Sequence, residues 1–182
     1  MNVLFVCTGN VCRSPMAEGF LRKEALERGL DIDVRSTGTH AWPMRAATWD
    51  GREVMSELGV PIDEHRTRLY ERPLIEWADL IVGLAVEHVR DVVRDHPDAA
   101  PRTFGLKELL ALLRQVPPQP TPKDLVRAAD AAREEAPPLD DADVLDPFGE
   151  RREAYRRVAG EIRTLIEELA AAFERRPEVT NA

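Results

Sequence analysis

The sequence predicts an α/β domain with a small parallel sheet of about four strands and helices packed on both faces. Short apolar runs alternate along the chain with segments of helical periodicity, which is typical of a parallel sheet. The first run ends in a glycine-containing turn that leads into a helix. A length of 182 residues fits one domain with a substantial core. We therefore expect a single domain over residues 1–182.

Each element rests on a local pattern. Strands are predicted from β-branched and apolar runs at 2–6, 32–36, 80–84 and 103–104. Helices are predicted from apolar residues three and four positions apart, from Pro15 to a stop at Gly29, and at 46–58, 86–94, 105–113 and 151–173.

One segment, at about residues 115–141, breaks the alternation. A group of four prolines near its start, at 117, 118, 120 and 122, excludes a regular helix or a central strand there. A helix-like stretch at 123–135 follows them. We expect a surface insertion with one solvated, acidic helix. The alternative is a lid or partner-docking element, because the segment leads into the sequence DVLDPFG at 143–149.

The composition excludes several classes of protein. A net charge of -8 argues against a general binder of nucleic acid or of anionic membranes. No window is apolar enough to cross a bilayer, and the start MNVLFVCTGN lacks the basic region of a signal peptide. Two cysteines are too few for a disulfide scaffold, so we expect a reducing cytoplasm.

The strongest chemical signal is the turn CTGNVCRS at 7–14. A turn that enters a helix points successive backbone N–H groups into one concavity, which binds anions. Gly9 and Asn10 tolerate the left-handed backbone that such a turn needs. Arg13 can offer two N–H groups to a tetrahedral anion, and a thiol at Cys7 would ionise readily beside it. The pattern predicts a thiolate aimed at a bound phosphoryl group.

Other interpretations of this turn are weaker. A Walker-type loop would need Gly-Lys-Ser/Thr, which is absent. Cys7 and Cys12 have no second Cys or His pair at metal-ligand spacing, so we expect neither a metal nor a cofactor.

The segment VCTGNVCRSPMAE at 6–18 resembles the signature of the low-molecular-weight protein tyrosine phosphatases, a family related to the protein arginine phosphatases. Similar stretches follow in the family's order, at 34–42, 59–68, 78–84 and 143–149. The resemblance implies a flavodoxin-like fold with the active site at the carboxyl end of the first strand.

The resemblance also implies roles for individual residues. Cys7 would be the nucleophile that forms a phosphocysteine, Arg13 would bind the phosphoryl oxygens, and Asp146 would be the general acid and then the general base. The implied phosphate-binding residues are Thr8, Gly9, Asn10, Val11, Cys12, Arg13 and Ser14. Ser14 would also hydrogen-bond the thiolate.

Residues outside the loop would support it and frame the substrate. Ser36 and His65 would join Asn10 in a network that holds the loop in shape. Trp42 and Phe148 would form opposite walls of the substrate cleft, with Val11 beside them.

Several of these residues have simpler interpretations. Asp146, which precedes a proline, could be a turn residue with no role in catalysis. His65 could be a packing or surface histidine. We expect His40, His88 and His96 at the surface. Cys12 could be a core cysteine, or it could form a reversible disulfide that protects an oxidised Cys7, as the second loop cysteine often does in this family.

The expected partners are a phosphorylated protein and inorganic phosphate or a similar oxyanion in the loop. Arginine phosphatases usually carry threonine where this chain has Val11, and an apolar side chain there favours the phenyl ring of phosphotyrosine. The Asp-Pro-Phe-Gly at 146–149 is closer to the arginine phosphatases. We expect phosphotyrosine, with phosphoarginine as the alternative.

Two further functions are less consistent with the sequence. An arsenate reductase of this fold would need cysteines downstream of Cys12, and none follows. An inactive phosphoprotein-binding module would typically have lost the nucleophile, the arginine or the acid, and this chain retains Cys7, Arg13 and Asp146.

Overall fold

Four parallel strands form one sheet in the order β2-β1-β3-β4 in a computed structural model that describes residues 1–175. The strands are β1 (Asn2–Cys7), β2 (Asp33–Gly38), β3 (Leu80–Gly83) and β4 (Thr103–Gly105). The sheet confirms the predicted fold class. From the central strand β1 the chain crosses to one side for β2 and to the other for β3. Folds of this type bind ligands where the strand order reverses in this way.

Seven α-helices connect and cover the strands within the described residues. They are α1 (Arg13–Arg28), α2 (Trp49–Glu57), α3 (Arg72–Trp77), α4 (Val86–Asp95), α5 (Leu106–Leu113), α6 (Pro122–Ala132) and α7 (Arg152–Glu174). Two 3₁₀ helices cover Pro97–Arg102 and Arg133–Glu135. The sequence did not predict α3 or the first 3₁₀ helix, because six residues are too few to show a helical period.

The core lies on both faces of β1, as the alternation of its side chains dictates. Val3 and Phe5 pack in the cluster that includes the apolar residues of α1 and α7. Leu4 and Val6 pack on the opposite face with Ile75 of α3 and other residues of α3 and α4. All four strand side chains are fully buried, and each contributes about 1.5–3 kcal/mol of burial free energy. Among residues 1–175, no helix has the length and apolar character that a membrane span requires.

The helix in the proline-rich segment is less solvated than the sequence suggested. Leu125, Val126 and Ala129 of α6 are buried and belong to the main core cluster. The prediction of a solvated helix is therefore wrong. Its few apolar residues lie on one face, and that face packs on the body of the protein, while Lys123, Arg127 and Ala131 on the other side are exposed.

Candidate active site

The turn between β1 and α1 brings Cys7 and Arg13 to one cavity of about 500 Å³ at the carboxyl end of the sheet. Cys7 is the last residue of β1 and Arg13 is the first residue of α1, and both are buried. Thr8, Gly9, Val11 and Cys12 also line this cavity. Six of the seven residues at 7–13 thus line one space. The exception is Asn10, whose side chain points into the protein.

Two polar groups face the Cys7 sulfur. The backbone N–H of Asn10 donates to Sγ over 3.3 Å, and Ser14 Oγ lies 3.0 Å from Sγ. Ser14 is fully buried in the first turn of α1, and its single hydroxyl proton has two acceptors within reach, the Cys7 sulfur and the carbonyl oxygen of Thr37 at 3.3 Å. Both groups lie within hydrogen-bond distance of the sulfur.

Asn10 connects the turn to the rest of the protein. Its φ of 54° lies in the left-handed region that asparagine tolerates better than most residues. Its fully buried side-chain amide donates to Ser14 Oγ at 2.9 Å and to Ser36 Oγ at 2.8 Å. Its side-chain oxygen accepts from the Arg68 N–H at 2.9 Å. The side chain therefore has a partner for both of its N–H groups and for its oxygen.

A carboxylate that the sequence did not single out lies behind this network. Ser36 donates to Glu18, which is almost fully buried and pairs with Arg22 over 2.6 Å. His65 Nε2 lies 2.9 Å from the Asn10 carbonyl oxygen, and burial lowers the pKa of His65. The structure thus brings both Ser36 and His65 to Asn10. The one sequence signal that could have indicated Glu18 is its position, since it is a charged residue on the buried face of a helix.

The end of β2 leaves room for the turn only because residue 38 is glycine. A Cβ at Gly38 would lie 2.6 Å from the carbonyl oxygen of Thr8 and 2.8 Å from the amide nitrogen of Asn10. Both contacts are with backbone, which cannot swing aside. A side chain at this position would therefore displace the turn.

Arg13 faces a carboxylate from a distant part of the chain. Its Nη2 donates to Asp146 Oδ2 over 2.6 Å and its Nη1 to the carbonyl oxygen of Val144 over 3.1 Å. The Val144 N–H in turn donates to the Leu84 carbonyl at the end of β3, which fixes this loop against the sheet. Asp146 Oδ1 accepts from the Phe148 N–H at 3.1 Å, so Asp146 does start a turn while its other oxygen faces Arg13.

Trp42 and Phe148 line the cavity together with Val11. Trp42 is 74% exposed and Phe148 is 65% exposed, so both rings are open to solvent. His40 and Arg45 line the same cavity and were not predicted there. His40 falls within the stretch at 34–42 that resembles the family, and Arg45 lies in the irregular segment that follows it.

The second cysteine is set back from the first. Cys12 Sγ lies 3.5 Å from Thr48 Oγ1 and 3.7 Å from the Tyr155 hydroxyl. Burial raises the pKa of the Cys12 thiol to about 11. Both cysteines are free thiols.

His88 does not lie at the surface, as the sequence suggested, but is fully buried. Its Nε2 lies 3.1 Å from the hydroxyl of Thr8. The prediction failed because His88 occupies the face of α4 that packs toward the turn, opposite the exposed face. In the described part of the chain, no group of three or more His, Cys, Asp or Glu side chains is arranged to hold a metal ion.

Comparison with known proteins identifies the family. Residues 2–116 match the model of the low molecular weight phosphotyrosine protein phosphatases. A protein-arginine-phosphatase of Geobacillus stearothermophilus is 30% identical over 94% of this chain and 95% of its own length. The low-molecular-weight protein-tyrosine-phosphatase PtpA of Staphylococcus saprophyticus is 32% identical over 66% of this chain and 78% of its own. The crystal structure of a YwlE mutant from Bacillus subtilis superposes with a TM-score of 0.77 at 28% identity, covering 96% of this chain and 99% of that one. This chain belongs to the low-molecular-weight phosphotyrosine protein phosphatase family.

Proposed function

We propose that the protein hydrolyses phosphotyrosine in protein substrates through a phosphocysteine on Cys7. The observation that carries the proposal is the convergence of Cys7, Arg13 and Asp146 on one cavity, with Asp146 Oδ2 2.6 Å from Arg13 Nη2. The phosphate group would lie on the N–H groups of residues 8–13 and on the Arg13 guanidinium, as a tetrahedral anion does at a helix N-terminus.

The reaction has two displacements. In the first, the Cys7 thiolate attacks phosphorus, the P–O bond to the tyrosine ring breaks, and protonated Asp146 gives its proton to the departing oxygen. In the second, Asp146 takes a proton from water, the resulting hydroxide attacks phosphorus, and the P–S bond breaks. Inorganic phosphate leaves and the thiolate is restored, with the Ser14 hydroxyl 3.0 Å away to stabilise it. Arg13 stabilises the charge on the phosphoryl oxygens in both steps.

The shape of the cleft supports an aryl substrate. Trp42, Phe148 and Val11 supply apolar surface beside the nucleophile, and a phenyl ring buries well against such side chains. Arg45 lines the same cavity and adds a positive charge, which favours an anionic substrate over the cationic guanidinium group of phosphoarginine.

Phosphoarginine is the second candidate. The protein-arginine-phosphatase of Geobacillus stearothermophilus aligns over 94% of this chain, whereas the Staphylococcus saprophyticus tyrosine phosphatase aligns over 66%. Phe148 followed by Gly149 also resembles the arginine phosphatases more than the tyrosine phosphatases.

The test compares kcat/KM on one peptide scaffold that carries either phosphotyrosine or phosphoarginine, for the parent and for Val11→Thr. We expect the parent to prefer phosphotyrosine strongly and Val11→Thr to narrow that preference. A parent preference for phosphoarginine would overturn the proposal in favour of the second candidate. Turnover of neither peptide would point to an inactive phosphoprotein-binding module.

We further propose that residues 115–141 belong to the same domain as the active site and that the protein works in the cytoplasm. Burial of Leu125, Val126 and Ala129 in the main core supports the first statement. Two free thiols, which a reducing compartment preserves, support the second.

A further inference from the structure

We infer that His88 is a positioning residue for the phosphate-binding arginine, because its Nε2–H donates to the Thr8 hydroxyl and leaves that hydroxyl as an acceptor for Arg13. The inference rests on the proposed function in one respect, the binding of the phosphoryl group by Arg13. It concerns a contact between α4 and the turn, two elements that meet where the strand order reverses between β1 and β3.

Within the described part of the chain, His88 is a buried polar side chain with a hydrogen-bond partner on one ring nitrogen only. It is fully buried, and its Nε2 lies 3.1 Å from Thr8 Oγ1. Its Nδ1 is buried without a hydrogen-bond partner among residues 1–175. An unpaired buried N–H costs about 1–3 kcal/mol. The tautomer with its proton on Nε2 avoids an unpaired N–H and is therefore favoured.

The contacts of the Thr8 hydroxyl agree with this tautomer. A hydroxyl can donate one hydrogen bond and accept two. Glu87 Oε1, which can only accept when ionised, lies 3.4 Å from Thr8 Oγ1 and also 3.4 Å from His88 Nε2. The Thr8 proton goes to Glu87, because the His88 Nε2–H has a closer acceptor in Thr8 Oγ1, at 3.1 Å. Arg13 Nη2, which can only donate, lies 3.5 Å from the same oxygen. The remaining acceptor position is filled by His88 Nε2–H, so every bond that the hydroxyl can make is assigned.

His88 supplies this hydrogen bond without adding a charge. Burial, and after it the positive charge of Arg13, lower the pKa of His88 to about 4, although Asp91, Asp143 and Asp146 act in the opposite direction. The side chain is therefore neutral near pH 7. Neutral His88 leaves the charge balance between Arg13 and a bound phosphoryl group undisturbed.

The contact matters most when Asp146 turns toward the leaving oxygen. Arg13 then keeps its 3.1 Å bond to the Val144 carbonyl and its contact with Thr8. A Thr8 hydroxyl that is free to rotate would point its proton toward Arg13 part of the time. Loss of His88 should therefore weaken the binding of phosphoryl oxygens in the ground state and in the transition state.

Two matched substitutions test the inference. His88→Gln keeps an N–H near the position of Nε2, whereas His88→Met has a similar length and no donor. We expect His88→Met to lower kcat/KM for an aryl phosphate and to raise the dissociation constant of inorganic phosphate, each about 3- to 10-fold, the size of one hydrogen bond. We expect His88→Gln to recover most of both losses.

A double-mutant cycle separates positioning from packing. Thr8→Val alone should produce a loss similar to that of His88→Met, and His88→Met should have little further effect in the Thr8→Val background. Equal losses in His88→Gln and His88→Met, or full additivity with Thr8→Val, would overturn the inference. If His88→Met does not fold, a phosphate affinity of Thr8→Val equal to the parent's would overturn it as well.

The phosphate titration also keeps this test separate from that of the proposed function. Calorimetry of inorganic phosphate binding needs no turnover. A parent protein that hydrolyses neither phosphopeptide would contradict the proposed function, and the phosphate affinities of the His88 variants would still decide the role of His88.

Discussion

Asn10 should be the residue of the turn to which stability is most sensitive. Asn10→Ala removes three hydrogen bonds, to Ser14 Oγ, to Ser36 Oγ and from the Arg68 N–H. At about 1 kcal/mol of net stability for each bond, the loss is about 3 kcal/mol. Alanine must also adopt the φ of 54°, which costs about 1–2 kcal/mol more. The free energy of unfolding should therefore fall by about 4–5 kcal/mol.

Asn10→Gly separates the two contributions. Glycine loses the same three hydrogen bonds but adopts the left-handed backbone without strain, so it should be about 1 kcal/mol more stable than the alanine variant. Met44 supplies a matched control, since it has a φ of 62° and is 72% exposed. Met44→Gly should gain up to about 1 kcal/mol over Met44→Ala, with no hydrogen bonds involved.

Urea unfolding of these four variants and the parent measures the differences, and steady-state kinetics on an aryl phosphate measures the effect on the site. Both Asn10 variants should also lose activity, because Ser14 and the Cys7 sulfur lose their fixed positions. Two results would contradict these roles of Asn10: a decrease of less than about 1 kcal/mol in the free energy of unfolding of Asn10→Ala, or an Asn10→Gly variant less stable than Asn10→Ala.

Three other substitutions and one pH series test the general acid, the buried histidine, the second cysteine and the packing of α6. Asp146→Ala should lower kcat for the hydrolysis of phenyl phosphate about 10²- to 10⁴-fold, and for the hydrolysis of an activated nitrophenyl phosphate far less, because only the poor leaving group needs a proton. An equal decrease in kcat for both substrates would contradict the general-acid role. The pKa of His88 is about 4 in the folded chain and 6.5 in the unfolded chain, so His88 is neutral in both above pH 6.5. As the pH falls to 4, the unfolded chain takes up the proton first, and the free energy of unfolding of the parent should fall by about 3 kcal/mol relative to that of His88→Gln. Parallel curves of unfolding free energy against pH would refute this. After peroxide treatment long enough to oxidise an unprotected sulfenic acid on Cys7 to the sulfinic acid, a thiol reductant should restore the activity of the parent and not of Cys12→Ala, and equal recovery would exclude a protective disulfide. Leu125→Ala should lower the free energy of unfolding by about 2–4 kcal/mol in a single cooperative transition, whereas a separate early transition would show that α6 lies outside the main domain.

The parts of the molecule that the sequence predicted are those encoded by neighbouring residues. The turn that we propose binds phosphate occupies eight consecutive positions, and the roles of its glycine, asparagine, arginine and cysteine follow from local geometry. The strands follow from short apolar runs in the same way. Gly29 ends α1 with a φ of 63°, as its position after a helical pattern predicts.

The parts that were missed depend on contacts between distant residues. His88 meets Thr8 across 80 positions, and its burial follows from how α4 packs on the turn. Arg45 enters the cavity through a loop with no regular pattern. The side of α6 that packs on the core was also hidden, because Leu125, Val126 and Ala129 lie among charged residues in an acidic segment. The pattern of neighbouring residues does not indicate such contacts.

The proposed reaction passes through a phosphocysteine on Cys7. Rapid mixing with a phosphotyrosine peptide, acid quenching and mass spectrometry of the digested protein would detect that adduct directly. We expect one phosphoryl group on the peptide that contains Cys7, with more of it in Asp146→Ala treated with an activated aryl phosphate, and no turnover by Cys7→Ala. Turnover by Cys7→Ala at the parent rate, or a product burst with no phosphoryl group on Cys7, would contradict it.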